Sequence, residues 1–198
     1  MFRTGEAVYL TFDDGPIPEV TPKVLDILAQ YGVKATFFMV GENIDKHPEV
    51  FAQVIAAGHA VGNHTYNHLK GWNHSFEQYM ANVEKAQKTI AQHLPKDYLA
   101  PVLNRFRPPY GKATFAQRRA LSRQGYKLIY WDILTRDYDA RVTTQQMVSK
   151  IKRQVRPGSI INFHDSLKSN ERMLQALPQV IEWLQSKGYK LEKLEIDD

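Results

Sequence analysis

Two adjacent carboxylates close an apolar run near the start of the chain, Ala7-Val8-Tyr9-Leu10-Thr11-Phe12-Asp13-Asp14-Gly15-Pro16. No other stretch constrains the chain as much. The run reads as a buried strand, and Gly15-Pro16 turns the chain at its end. Neighbouring carboxylates at a strand end repel each other and need a positive partner. A divalent metal is the simplest one, and it requires further ligands from elsewhere in the chain.

Downstream, strand and helix patterns alternate. Thr21 reads as an N-cap with Pro22 at the first helical position, and Val24, Leu25, Ile27 and Leu28 form an apolar face before Gly32. A strand is expected over 35–40, a helix from Pro48 to Gly58 and a short strand over 59–63. Ser75 with Gln78 forms a capping box for a long helix that Pro95 ends. Strands follow over 103–107, 128–133, 159–163 and 189–194. Helices are expected over 114–123, 144–155 and 170–187, with Pro178 either kinking the last one or starting its main part. About seven strands alternating with helices imply a largely parallel sheet in one domain, residues 1–198, either a small (β/α) barrel or an open doubly wound sheet. Asp13-Asp14, His64, Arg107, Asp132 and His164 fall at or just past strand C-termini, where both architectures place their chemistry.

The 198 residues include no cysteine, which excludes disulfides, zinc-thiolate sites and thiol nucleophiles. No apolar run reaches the length of a membrane span. Met1-Phe2-Arg3-Thr4-Gly5-Glu6 leads into the first strand without a signal peptide. Both a cytoplasmic protein and a secreted one whose leader has been removed fit that start. The net charge is +5, with seven Lys or Arg and no acid between Asp97 and Asp132, and five more from Ala140 to His164. Solvated helix faces account for most of this, and a pull toward anionic polymers is the sharper reading. No nucleic-acid-binding module is present.

His64-Thr65-Tyr66-Asn67-His68 puts two imidazoles four apart, able to face one ion from a helical turn or a loop of similar geometry. One strand-end carboxylate completes a two-His-one-carboxylate set with open positions, which suits catalysis. Arg107-Pro108-Pro109-Tyr110-Gly111 is rigid. Its arginine either bridges the barrel or keeps a nearby carboxylate ionised. Asn162-Phe163-His164-Asp165 and Tyr130-Trp131-Asp132 end two later strands.

Together these segments resemble the polysaccharide deacetylases that share the NodB homology domain, carbohydrate esterase family 4, over nearly the whole chain. The resemblance implies an irregular, shortened (β/α) barrel. It also implies Asp13 as catalytic base, Asp14, His64 and His68 as metal ligands, Arg107 positioning the base, the Tyr110 amide binding the oxyanion, and His164 as general acid. Trp131, Tyr138, Pro108 and Asn162 are expected along the substrate groove, with Trp72 a further stacking candidate. Two positions depart from the family pattern. The fourth motif reads Leu134-Thr135-Arg136-Asp137-Tyr138 and lacks its first aspartate, which leaves Asp132 or Asp137 to support the acid histidine. Asn162 stands where the family carries a leucine that walls the acetyl pocket.

The expected activity is hydrolysis of N-acetyl groups on N-acetylglucosamine polymers, peptidoglycan or chitin oligomers, with release of acetate. The expected cofactor is one divalent metal, Zn²⁺ by its donors, with Co²⁺ or Ni²⁺ as alternatives. The partner is an acetylated polysaccharide or oligosaccharide, the working oligomeric state is a monomer, and the family's place is extracellular or at the cell wall. O-deacetylation of xylan, a non-catalytic carbohydrate-binding descendant and a non-haem iron oxygenase remain as alternatives.

Overall fold

β1, Ala7–Asp13, is buried at every position and forms the centre of the sheet. The computed structural model describes residues 7–96 and 104–195. Within them the strands are β1, β2 (Thr36–Met39), β3 (Ala60–Asn63), β4 (Arg105–Phe106), β5 (Lys127–Leu128), β6 (Ile133–Leu134), β7 (Ile160–His164) and β8 (Lys190–Leu191). All pairings are parallel, in the order β5-β4-β3-β2-β1-β7-β6, with β8 against the first residues of β1. Helices α1 (Thr21–Gln30), α2 (Gly41–Lys46), α3 (Pro48–Ala56), α4 (Phe76–His93), α5 (Phe115–Arg123), α6 (Thr144–Gln154) and α7 (Asn170–Ser186) complete a curled, incomplete barrel. This is the shortened barrel expected, and the doubly wound alternative falls away. Among the described residues no helix is long and apolar enough to cross a membrane. The expected start of the fourth strand at Leu103 lies outside the described residues.

Strand periodicity of two decides which side chains meet inside the barrel. Val8, Leu10 and Phe12 face outward, into a core with Val24 and Leu28 of α1 and Leu177 and Ile181 of α7. Ala7 and Tyr9 face inward, with Phe38, Ile129, Ile160 and Leu194. By the same alternation Thr11 and Asp13 point inward from β1, and Asn162 and His164 from β7. β1 and β7 pair with Asp13 opposite His164 and Thr11 opposite Asn162. The barrel mouth therefore receives Asp13 and His164, and the layer beneath receives Thr11 and Asn162.

Three local expectations are corrected. Val20, not Thr21, is the N-cap of α1. The Thr21 hydroxyl instead accepts the Ile17 N–H and donates to Asp165, so it cannot cap its own helix. The expected strand over 128–133 is two strands, β5 pairing β4 and β6 pairing β7. Its middle crosses from one edge of the open barrel to the other. Asp132 accepts the N–H of Ile160, the first residue of β7. It therefore lies at the opposite end of β7 from His164, on the order of 13 Å away at the usual strand rise. α7 already starts at Asn170 and continues past Pro178, so the proline does not start its main part.

Candidate active site and metal centre

Asp13 is almost wholly buried. The Arg107 Nη1 donates to its Oδ1 at 2.7 Å and the Asn162 Nδ2 donates to its Oδ2 at 2.9 Å. Nη1 also points at Thr11 Oγ1 (2.8 Å) and Asn162 Oδ1 (2.6 Å), while Nε donates to the Ile129 carbonyl at 3.1 Å. The guanidinium lies 4.0 Å from the centroid of the Phe38 ring. Burial pushes the Asp13 carboxyl up, but Arg107, with His64 and His164, outweighs it and holds the group below the usual carboxylate value. Asn162 thus does not wall a pocket, as expected from its motif. One layer below the mouth, it brackets Asp13 and Arg107. Pro108 is likewise buried, outside the cavity lining, and serves to hold the Arg107–Tyr110 segment.

Asp14 takes the left-handed conformation, φ +85°, and its carboxylate faces His64 and His68. The following turn is pinned by Asp165, which accepts the Gly15 N–H at 3.0 Å and packs so closely that a Cβ on Gly15 would collide with its carboxylate. His64 directly follows β3, and its Nδ1–H donates to the Arg107 carbonyl at 2.7 Å, leaving the Nε2 lone pair toward Asp14. His68 arrives by a loop, not a helical turn. Thr65 and His68 both have positive φ, and Thr65 Oγ1 closes the loop by accepting the Leu69 N–H. Asn82 of α4 anchors it from outside by accepting the Tyr66 N–H.

His64 Nε2 lies 3.8 Å and His68 Nε2 3.3 Å from Asp14 Oδ1. One ligand atom from each residue falls within 4.8 Å of the others. Burial lowers both histidines to about 4, so they are neutral at ordinary pH. Asp14 Oδ1 is buried and accepts no hydrogen bond. Three acceptor atoms turned on one point with no donor among them fit a divalent cation, whose charge such a donor set lacks. Positive φ at Asp14, Thr65, His68 and Tyr110 concentrates backbone strain around this one centre.

His164 stands across the cavity. Its Nδ1–H donates to Asp137 Oδ1 at 2.7 Å, and its backbone N–H donates to Asp137 Oδ2 at 2.7 Å. Asp137 is fully buried. Burial works against the imidazolium, yet Asp137, with Asp14 and Asp13, raises His164 to about 9. The acid that supports His164 is therefore Asp137 and not Asp132. No sequence pattern separated the two, because the choice depends on the crossing of the 129–132 segment.

A cavity of about 590 Å³ joins these groups. Asp13, Asp14, His64, His68, Tyr110, Trp131, Tyr138 and His164 line it, with Leu134, Leu167 and Lys168. Arg107 lies beneath. Tyr138 packs edge-on against His164, ring centroids 5.0 Å apart. Trp131 is half-buried against Gly111, where an added Cβ would come within 2.6 Å of its ring, so it forms wall more than platform. Thr11 and Asp165 were not singled out from the sequence. Thr11 was legible in principle, two residues before Asp13 and on the same strand face.

A profile of the polysaccharide deacetylase family matches residues 3–129. A chitooligosaccharide deacetylase of Azorhizobium caulinodans is 31% identical over 203 aligned residues, covering 97% of this chain and 94% of the relative. A peptidoglycan-N-acetylglucosamine deacetylase of Bacillus cereus is 32% identical over 184 residues, covering 92% and 84%. Among solved structures, a peptidoglycan N-acetylglucosamine deacetylase in complex with 4-naphthalen-1-yl-N-oxidanyl-benzamide superposes with a TM-score of 0.90 at 32% identity, covering 97% of this chain and 87% of that one.

Proposed function

The chain belongs to the polysaccharide deacetylase family, and from that premise we propose that it hydrolyses N-acetyl groups of N-acetylglucosamine-containing cell-wall polymer or chitin oligomers, giving acetate and a free amino sugar. One observation carries the reading. Two titratable groups opposite each other on β1 and β7 are held in opposite states, Asp13 ionised by Arg107 and His164 protonated by Asp137. Such a pair is a matched base and acid.

Asp14, His64 and His68 would hold the divalent metal, Zn²⁺ by their nitrogen and oxygen donors. When bound, it supplies Lewis acidity toward the acyl oxygen and the attacking water. Asp13 takes the proton of that water, and Arg107 and Asn162 keep its carboxylate oriented and anionic. The water oxygen bonds to the acyl carbon, and the Tyr110 amide is the backbone donor for the oxyanion, a kind of contact on the order of 3 kcal/mol in the transition state. His164, with Nδ1 committed to Asp137, delivers the proton on Nε2 to the departing nitrogen as the C–N bond breaks. Trp131, Leu134 and Tyr138 supply the apolar surface for the acyl methyl and sugar face. A wall polymer as substrate would put the working site at the cell wall.

Acetate release from N-acetylated chitooligosaccharide and from peptidoglycan, by chelated protein with and without added Zn²⁺, tests the proposal. Acetate that depends on the metal is expected. No acetate from either polymer with metal bound would refute it.

A further inference from the structure

A row of rings leads out of the cavity from the metal ligand His68. Tyr110 packs edge-on against His68 at 4.7 Å between centroids, and Trp72 packs edge-on against Tyr110 at 5.5 Å. Trp72 and Tyr110 are 44% and 49% exposed, and they stand side by side next to the cavity that Tyr110 lines instead of being scattered singly. They are also held still. Tyr110 is set by its left-handed backbone. The short turn Gly71–Asn73 that carries Trp72 is locked onto the body of the protein, since buried Gln117 of α5 donates to the Gly71 carbonyl at 2.8 Å. A Cβ at Gly71 would meet Gln117 and Tyr79 within 3 Å. Rigid, exposed aromatics are pre-organised for a ligand face.

Two lysines flank the row. The Lys70 ammonium lies 5.2 Å from the Tyr110 centroid and the Lys112 ammonium 5.5 Å from the Trp72 centroid. Among the described residues neither has a carboxylate partner. Lys168 adds a third such cation at the cavity mouth. Of the carboxylates at the centre, Asp13 is bound to Arg107, and Asp14 faces the two histidines rather than these lysines. A neutral glycan would use the rings and leave the ammonium groups idle. A glycan bearing carboxylates would use both.

We infer that Trp72 and Tyr110, with Lys70 and Lys112, form a subsite for a sugar unit carrying a carboxylate, so that the polymer this cleft prefers is anionic. The inference rests on the deacetylase reading only for the identity of the polymer's other units. The recognition itself is stacking plus charge. A second basic cavity of about 630 Å³, lined by Arg136, Arg141, Lys150 and Arg153, is the competing place for an anion. There, however, Asp139 already pairs Arg136 and Arg141, and no ring lines the cavity.

Equilibrium binding to the metal-loaded protein is the test, read alongside acetate release. The probes are a neutral N-acetylglucosamine oligomer, a glycan strand of equal length with lactyl carboxylates on alternate sugars, and the same strand with those carboxylates amidated. The carboxylate strand should bind roughly three- to tenfold more tightly than either uncharged probe, and high salt should erase the difference. Lys70→Gln combined with Lys112→Gln should abolish that preference and leave binding of the neutral oligomer within about twofold. Trp72→Ala should weaken all three probes together. Equal affinity for charged and uncharged strands would overturn the inference, as would a preference that survives the double substitution but vanishes in Arg153→Gln. Charge-selective binding without any acetate would support the subsite while refuting the deacetylase reading. Acetate without charge selectivity would do the reverse.

Discussion

Asp13 and His164 sit opposite each other in register, and each owes its charge to one buried partner. Arg107 is wholly buried, and its pairing with Asp13 is made inside the protein where desolvation is costly. Arg107→Met would leave Asp13 buried with only Asn162, so a loss of about 3–5 kcal/mol in urea unfolding is expected near neutral pH. The loss should shrink in acid, where Asp13 can protonate. On the other side, His164 is raised to about 9 with Asp137 beside it. The imidazolium persists up to that pH, and the basic limb of kcat against pH is expected there. Asp137→Asn should move that limb down toward the ordinary histidine value. A limb that stays put would show that Asp137 is not what holds the proton. His164→Ala should also cost far more on amide substrates than on activated acetate esters, whose leaving groups need no proton.

Elements decide where these residues arrive, and this scale was only partly legible in the sequence. Strand ends with chemistry on them were readable in part: Asp13 and His164 close largely apolar stretches, and Arg107 stands directly before the Pro108-Pro109 stop. The capping box of Ser75 and Gln78 appears as expected, and the same motif recurs at Thr114 with Gln117 and Thr143 with Gln146. Helix α2 went unread because its six residues follow β2 at Val40 without a side-chain cap. The run from Leu128 to Ile133 hid two strands, because apolar periodicity cannot tell one strand from a bridge between two sheet edges. Asn162 was misplaced for a related reason. Its motif put it near the acyl group, whereas period-two alternation puts it one layer lower, under Asp13. Gly111 shows how tightly an element can depend on one residue. Its φ is +65°, and a Cβ would strike Trp131. Gly111→Ala should therefore displace the Tyr110 loop, lowering kcat by at least tenfold while melting shifts by a few degrees. An unchanged kcat would mean that the Tyr110 amide is not needed for the oxyanion.

For the whole molecule, the acceptors gathered for a cation make stability depend on pH and metal together. His59, His64 and His68 are each lowered by burial from 6.5 to about 4. Between those values the unfolded chain binds protons that the folded chain does not, so stability rises with pH across that window and is lost as pH falls through it. His164 behaves oppositely. Its folded value is raised, so its contribution is full below 6.5 and fades as pH climbs through about 9. The summed contribution of these four histidines to metal-free protein is therefore greatest between the two windows, while Asp165, raised by burial to about 8, works against them as pH climbs from about 4 to 8. Metal binds only neutral imidazole and stabilises the folded form by mass action. Added Zn²⁺ should therefore raise the melting temperature strongly at pH 7 and little at pH 4. His59 separates the two effects, because it lies away from Asp14, His64 and His68, accepting the Ala35 N–H at 3.1 Å and packing edge-on against Phe37. His59→Asn should remove one proton from the acid slope of stability against pH while leaving the zinc-induced shift at pH 7 unchanged. Melting curves across pH, with and without Zn²⁺, read both quantities. A zinc shift that disappears in His59→Asn would mean that folding of the barrel and filling of the Asp14, His64 and His68 site are not independent.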